Sequence, residues 1–567
     1  MLLSNLDLLA TAPGGVARLR ELILTLAVQG KLVPQDAADE PAGVLLQKIR
    51  AEKDRLIAEG KIKRDKPLAE IAEEEKPFEL PDGWEWARLG QIAMQVTDGT
   101  HHTPKYLPNG VAFISVKDID GNSVSFNDCK FISEEEHRQI NARCNPEKGD
   151  LLLCRIGTLG RPTLVDTDRP FSLFVSVGLI KLPKSCNLST YLHLVMRSPL
   201  LAAQYQEIKA GGSHTNKLNL GDIPQLRIPV PPLAEQSRIV TRVAELMRLC
   251  DALEAKGRLE AAQHAQLVNT LLGTLTASAT PEELADNWQR VAQHFDLLLD
   301  RPEAIDALEQ TLLQLAVRGL LVPQDPTDEP ASALLQKIRA KKDRLIAAGK
   351  IKRDNPLPPI TDEEKAFGLP NQWEWVRLID LMPEFQNGAS SRGDAGGTPI
   401  TVLRLADIKS KRISLAETRQ VPIAPSDIAK YQLAEGDILI TRVNGSADIV
   451  GQFNLCDRPV EAIYCDHFIR MRIDQRWVEP SFCALLGECA LVRNAIKNLF
   501  ISTAGQKTVN QGHIGSLQLP LPPLAEQSRI VTRVTALRRL CADLRQRLAE
   551  RQSVQARLAE ALLASVA

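Results

Sequence analysis

Pro231-Pro232-Leu233-Ala234-Glu235-Gln236-Ser237-Arg238-Ile239-Val240-Thr241-Arg242-Val243 returns unchanged at Pro522 to Val534. Proline fits the first turn of a helix but not its interior, so Pro232 and Pro523 mark where a helix begins. Apolar residues then follow at alternating steps of four and three: Ile239, Val243, Leu246, Cys250 and Leu253. The second copy carries Ile530, Val534, Leu537, Cys541 and Leu544 and continues to Leu548, where the first has Gly257. A seam of period 3.5 wants a helical partner. The reading expects that partner to be the other copy, in an antiparallel coiled coil.

Outward from this stretch, the whole chain is written twice. Leu45 to Ala51 (LLQKIRA) recurs at Leu334 to Ala340, Lys53 to Ala58 (KDRLIA) at Lys342 to Ala347, and Gly60 to Asp65 (GKIKRD) at Gly349 to Asp354. The shift is constant, since 334 − 45, 342 − 53 and 349 − 60 all equal 289. Pro81-Asp82-Gly83-Trp84-Glu85-Trp86 meets Pro370-Asn371-Gln372-Trp373-Glu374-Trp375 at the same shift. Such a unit is far too long for a solenoid repeat, so a set of domains is duplicated. Between the Trp-Glu-Trp and Pro-Pro-Leu motifs the copies diverge, and only anchors survive: Asp118-Ile119 with Asp407-Ile408, Gly149-Asp150 with Gly436-Asp437, Arg155 with Arg442. One frame thus presents two different surfaces, which suits a reader of two unlike half-sites.

Local patterns predict an α+β fold: two similar domains, each a small mixed sheet plus helices, joined by long helices in a pseudo-twofold duplication. Helices are expected at Arg18 to Gln29, stopped by Gly30, and from Pro41 to about Glu59, closed by Gly60. Short apolar runs at Val111–Val116, Leu151–Cys154, Leu164–Val165 and Phe174–Leu182 predict strands, with a helix at Leu192–Tyr205. The second copy offers strands at Thr401–Leu405, Asp437–Thr441 and Phe468–Ile473 and a helix near Ser481–Leu499. The expected division is a helical segment 1–79, a domain 80–230, a spacer helix 231–276, a helical linker 277–368, a second domain 369–521 and a last spacer helix 522–567.

Composition excludes little. The chain has 567 residues, 44% of them hydrophobic, and 69 Lys+Arg against 70 Asp+Glu. Residues 81–230 hold 16 Lys+Arg against 15 Asp+Glu, and residues 370–521 hold 16 of each. Any contact with nucleic acid must come from local concentrations of charge. The start is leucine-rich but lacks a basic leader, and no apolar run is long enough for a bilayer, so a soluble cytoplasmic protein is expected. Ten cysteines without a CxxC pair read as buried thiols, and Cys465-Asp466-His467 lacks metal partners at useful spacing. The tryptophans read as core anchors.

LPDGWEWARL and LPNQWEWVRL, the two PLAEQ-x-RIV helix starts, and LAVQGKLVPQD with LAVRGLLVPQD resemble the specificity subunits of type I restriction-modification systems. Thr97 to Pro104 (TDGTHHTP) and Gly149 to Gly157 are similar to loops of that family's target-recognition domains, whereas the second copy departs, with Gly388-Ala389-Ser390-Ser391-Arg392-Gly393 and Arg442-Val443-Asn444-Gly445. The resemblance implies a non-catalytic, sequence-specific DNA-binding subunit reading a bipartite, non-palindromic site. It implies two spacer helices that set the gap between the halves. Two methylation subunits carrying S-adenosylmethionine for adenine methylation, and motor-nuclease subunits using ATP and magnesium, are the implied partners. No cofactor is expected on this chain.

Missing chemistry agrees with that expectation. No Asn/Asp-Pro-Pro-aromatic clamp for a flipped adenine is present, because Asn355-Pro356-Leu357 breaks the pattern. No GxxxxGK[ST] phosphate cradle occurs either. A fused modification nuclease therefore lacks its parts, and a protein-binding scaffold with duplicated interaction domains is the remaining alternative. The expected DNA-binding residues are Thr100, His101, His102, Lys105, Lys117, Arg155, Ser213, His214 and Lys217 in the first domain. Ser391, Arg392, Arg404, Arg442, Asn444, Gln506 and Lys507 are expected in the second. Lysines and arginines would hold phosphates while a few side chains read base edges.

Overall fold

A computed structural model describes residues 6–64, 66–186, 188–210, 216–278, 280–351, 357–390, 397–409, 411–503 and 505–565. The chain forms two compact units, residues 1–260 with 552–567, and residues 261–551. The two long helices Leu233–Ala277 and Leu524–Ala564 each contribute to both.

In unit one, helices Gly15–Val28 and Ala42–Ala58 lead to the recognition domain. The first ends before Gly30, whose positive φ of 71° suits a residue without Cβ. Glu85–Arg88 pairs antiparallel with Arg227–Val230, placing Trp86 opposite Pro229. The domain is thus closed at its base by its own first and last strands. Inside lies a four-stranded antiparallel sheet in the order Gln95–Asp98, Val177–Lys181, Leu151–Cys154, Gly160–Leu164. Beside it, Val111–Ile114 pairs antiparallel with Lys130–Ile132 and parallel with Phe171–Leu173. Unit two repeats this plan: Glu374–Arg377 with Gln518–Leu521, a four-stranded sheet, and a three-stranded sheet containing the same parallel pair.

Three expected elements come out differently. The helix expected over Leu192–Tyr205 is two helices, Ser189–Met196 and Pro199–Glu207, because Pro199 has no N–H to continue the ladder. Its counterpart breaks likewise, into Pro480–Glu488 and Ala490–Leu499, at an extended Cys489. The apolar run Phe174–Leu182 holds one strand, Val177–Lys181, which starts only after a turn; the strand just before that turn, Phe171–Leu173, belongs to the other sheet and was not expected.

Each repeated motif has a structural task. Glu235 of PLAEQ is 1% exposed and accepts hydrogen bonds from Trp84 Nε1 at 3.0 Å and Gln35 Nε2 at 2.6 Å. Glu526 does the same in unit two, from Trp373 Nε1 at 2.9 Å and Gln324 Nε2 at 2.6 Å. One buried carboxylate therefore ties together the VPQD loop, the Trp-Glu-Trp strand and the spacer helix. Arg238 to Asp39 and Arg529 to Asp328, both 2.6 Å, reinforce the node. Gln236 and Gln527 donate to the carbonyls of Pro231 and Pro522 at 2.9 and 3.1 Å, fastening the helix starts.

The two spacer helices contribute to one apolar cluster, and the heptad seam also packs on the repeat helices. In unit one Ile239, Val243 and Cys250 share a core with Val16, Ile23 and Ala27 of helix Gly15–Val28. In unit two Cys541 and Leu548, with Leu537 and Leu544 at their margin, pack with Ile305, Leu308 and Leu312 of helix Pro302–Val317. Val268, Leu272 and Leu275 of the first spacer helix join that second cluster. Within each unit, then, the repeat helix ahead of the recognition domain supplies an apolar stripe for the seam.

Candidate nucleic-acid interface

The surviving anchors hold turns in place. Asp118 Oδ2 accepts from the Ser115 amide and Asp407 Oδ2 from the Arg404 amide, both at 2.8 Å. Asp150 accepts from Lys181 at 2.9 Å and from the Glu147 amide; Asp437 takes Arg472 at 2.7 Å and the Ala434 amide. Burial pushes the Asp150 carboxyl above the usual aspartate range, against the opposing pull of Lys181.

The Asp-Gly-Thr-His loop of the first domain is built around Asp98, which is 1% exposed at a strand end. Arg155, Arg143 and His101 converge on it: Arg155 Nη1 on Oδ2, Arg143 Nη2 at 3.0 Å from Oδ1, and His101 Nε2 at 3.1 Å from Oδ2. Arg143 also donates to the carbonyls of Asp98 and Gly99 at 2.8 and 2.6 Å. Gly99 is required by close approach: a Cβ there would stand 2.0 Å from the Leu173 carbonyl oxygen. Gly388 faces the same restriction, 2.0 Å from the Cys465 oxygen, so this turn is common to both domains.

Thr100 is buried, and its Oγ1 lies 2.6 Å from His102 Nδ1, whose Nε2 is 3.2 Å from Glu136 Oε1. That set of contacts fits the Nε2-protonated tautomer, with the hydroxyl donating to Nδ1 and Nε2–H to the carboxylate. The His101 and His102 side chains remain about two-thirds exposed, at 66% and 64%. With Arg143 and Gln139 they line a cavity of about 320 Å³. The rim offers imidazole, amide and guanidinium groups suited to phosphate oxygens or base edges. Lys105 is exposed nearby in sequence, and Lys117 is exposed while donating to the Asp128 carbonyl at 3.1 Å.

Arg155 requires correction as a DNA contact. It is 8% exposed, and beyond Asp98 it donates to the carbonyls of Val175 and Leu218 at 3.1 and 3.2 Å. A guanidinium spent on three internal acceptors positions the loop. Its counterpart differs because Asn387 stands where the first domain has Asp98. Among the described residues Arg442 keeps only the carbonyl contact, to Asp466 O at 3.2 Å, and is half-buried.

Both domains attach a terminal hairpin at this edge. Lys217 bridges to Ile156, and the Gly157 amide donates to Asn216 O at 3.0 Å. In the second domain Gln506–Thr508 pairs with Val443–Asn444, setting Lys507 opposite Asn444, and Lys507 Nζ donates to Gly445 O at 3.0 Å. Arg442, Asn444 and Lys507 therefore come together, with exposed Gln506 at the adjoining turn. Arg404 lies apart, held by Asp407 at 3.2 Å and by the Glu417 carbonyl. Ser213, His214, Ser391 and Arg392 fall outside the described residues. Sequence reading missed Arg143, Gln139 and the exposed Tyr106, whose ring lies tilted 6.1 Å from that of Phe113 with Lys130 5.9 Å from its own. Arg143 sits in no repeated motif, so nothing marked it. Cys465, Asp466 and His467 bring ligand atoms within 4.8 Å of one another, but burial raises the Cys465 thiol and disfavours its thiolate.

Residues 81–264 and 370–551 both match the family described as "Type I restriction modification DNA specificity domain", and the chain belongs to that family. Across 97% of its length and 93% of theirs, it is similar to two specificity subunits from Escherichia coli. These are 36% identical to it for the type I restriction enzyme EcoEI subunit and 37% for the EcoAI subunit. A solved structure from work on complex assembly and conformational transition of the type I R-M system shares the fold. Its TM-score is 0.50 at 19% identity, covering 86% of this chain and 99% of the other.

Proposed function

We propose that this chain is the DNA-reading subunit of a type I restriction-modification complex. Domain 80–230 would read one half of a bipartite, non-palindromic site and domain 369–521 the other. The observation that carries this is a shared frame with unlike edges. Both domains keep the strand-end glycine, the buried aspartate turns and the terminal hairpin, yet one has Asp98, Thr100 and His101 where the other has Asn387, Ala389 and Ser390. Helical segments 1–79 and 277–368 and spacers 231–276 and 522–567 would form the frame, with helix length governing how many base pairs go unread. The chain is non-catalytic in this reading. Partner methylation subunits would supply S-adenosylmethionine chemistry on adenine, and motor-nuclease subunits would supply ATP- and magnesium-dependent cleavage, all in the cytoplasm. Among the described residues no helix is long and apolar enough to cross a membrane.

Single-molecule methylome sequencing of cells with and without the gene tests the proposal. The expected result is one bipartite N6-methyladenine motif that vanishes on deletion. An unchanged methylome, with no shift of DNA by the purified complex with methylation subunits, would favour the protein scaffold instead.

A further inference from the structure

The apolar stripes that build the two units are nearly interchangeable. On the repeat helices Leu19, Ile23, Leu26 and Ala27 correspond to Leu308, Leu312, Leu315 and Ala316. On the spacer helices Ile239, Val243, Leu246, Cys250 and Leu253 correspond to Ile530, Val534, Leu537, Cys541 and Leu544. Apolar packing therefore hardly distinguishes the correct docking of helix Gly15–Val28 on its own spacer from docking on the duplicate. The flanking charges do distinguish them. In unit one the repeat helix is the cation: Arg20 pairs with Asp251 at 2.5 Å and Glu254 at 3.1 Å on the spacer. In unit two the repeat helix is the anion: Asp306 and Glu309 pair with Arg545 at 2.6 and 2.7 Å, and Glu309 with Arg538 at 3.0 Å. These are equivalent positions, since 309 − 20 is the repeat-helix shift of 289 and 545 − 254 is the spacer shift of 291. Asp251 has become Ala542, Met247 has become Arg538 and Ala17 has become Asp306, so the polarity is reversed as a set.

We propose that this reversal is a pairing code, which makes each repeat helix fit the seam stretch of its own spacer (residues 239–254 or 530–545) and repel the same stretch of the other copy. Exchange would set Arg20 against Arg538 and Arg545, and Asp306 and Glu309 against Asp251 and Glu254. Both wrong pairings carry like charges, while both right ones are satisfied. Specificity between near-identical partners commonly needs such a repulsive element. The groups are a fifth to two-thirds exposed, so the effect is screened by salt. The partner excluded is either the duplicate within the chain or the same helix of a second copy of this chain.

The test rewrites unit one in unit two's polarity: R20E/D251A/E254R in the full-length protein. Every native pairing stays complementary, but the two halves now carry the same code. After refolding, light scattering should show exchanged dimers raised about tenfold over the unmodified chain, with the thermal midpoint nearly unchanged. A variant as stable and as monodisperse as the unmodified chain would overturn the proposal, because the pairs would then serve local stability alone. The unmodified chain offers a second measurement if the variant does not fold. Refolding it in about 1 M rather than 0.05 M sodium chloride should raise the exchanged fraction, as the screening length shrinks to roughly 3 Å. Equal fractions at both salt concentrations would equally overturn it.

Discussion

Removing Arg155 should unfasten the first recognition domain without harming the second. Its side chain is 10% exposed and bonded to the Asp98 carboxylate and to the carbonyls of Val175 and Leu218. Arg155→Ala strips a buried carboxylate of its most enclosed partner and leaves two carbonyl acceptors unmatched. Arg143 is half-exposed and cannot replace it. Breaking one side of a buried pair costs about 3–5 kcal/mol, and exposed partners recover at most about 1 kcal/mol. The net loss expected is therefore roughly 2–4 kcal/mol, confined to unit one. Asp98→Asn keeps the shape and an acceptor oxygen, as Asn387 does naturally, and should cost less. The assay is a double-mutant cycle in urea denaturation with Arg155→Ala, Asp98→Ala and the double variant. The two losses should overlap by about 2 kcal/mol or more. Strictly additive losses, or an equal shift in the unfolding of unit two, would show that the pair is not the fastening described.

Glu526→Ala should destabilise unit two by about 3 kcal/mol or more, since it leaves Trp373 Nε1 and Gln324 Nε2 without their buried acceptor; calorimetry of the variant checks this. Burial raises the Glu526 carboxyl, and Asp150 is raised for the same reason. The native state therefore holds protons that the unfolded chain has released. Their contribution to stability falls as pH rises from the ordinary carboxylate range through the raised values, and is flat above, as pH-dependent urea midpoints of the wild type and of Glu526→Gln should show. Gly388→Ala should cost roughly 2–4 kcal/mol through collision with the Cys465 carbonyl, visible as a lowered thermal midpoint. Arg442→Ala should weaken binding only to sites carrying the correct second half-site; equal loss on unrelated DNA in a gel shift would make it a phosphate contact.

The duplication was legible in the primary structure because both copies must build one frame. Identical chemistry at a constant spacing survives wherever a backbone turn or buried node requires it. Helix limits set by Gly30 and Pro232 were legible for a similar reason, being local. Proline breaks at Pro199 were misjudged where an apolar run continued across them. The strand Phe171–Leu173 was missed because three residues carry too little pattern to be read.

Partner choice was decided by tertiary structure alone. Period 3.5 required a helix against Ile239 and Ile530 but held no information on which one, and the Val16–Ile23 stripe became the match of Ile239 only through folding. The same holds for charge. Arg155 reads in sequence as a free cation, and it is a buried strut because Asp98, 57 positions earlier, closes on it. Local order fixes what a residue can do. Which acceptors remain within about 3 Å of it is a property of the folded chain, and only that decides whether it faces DNA or the interior.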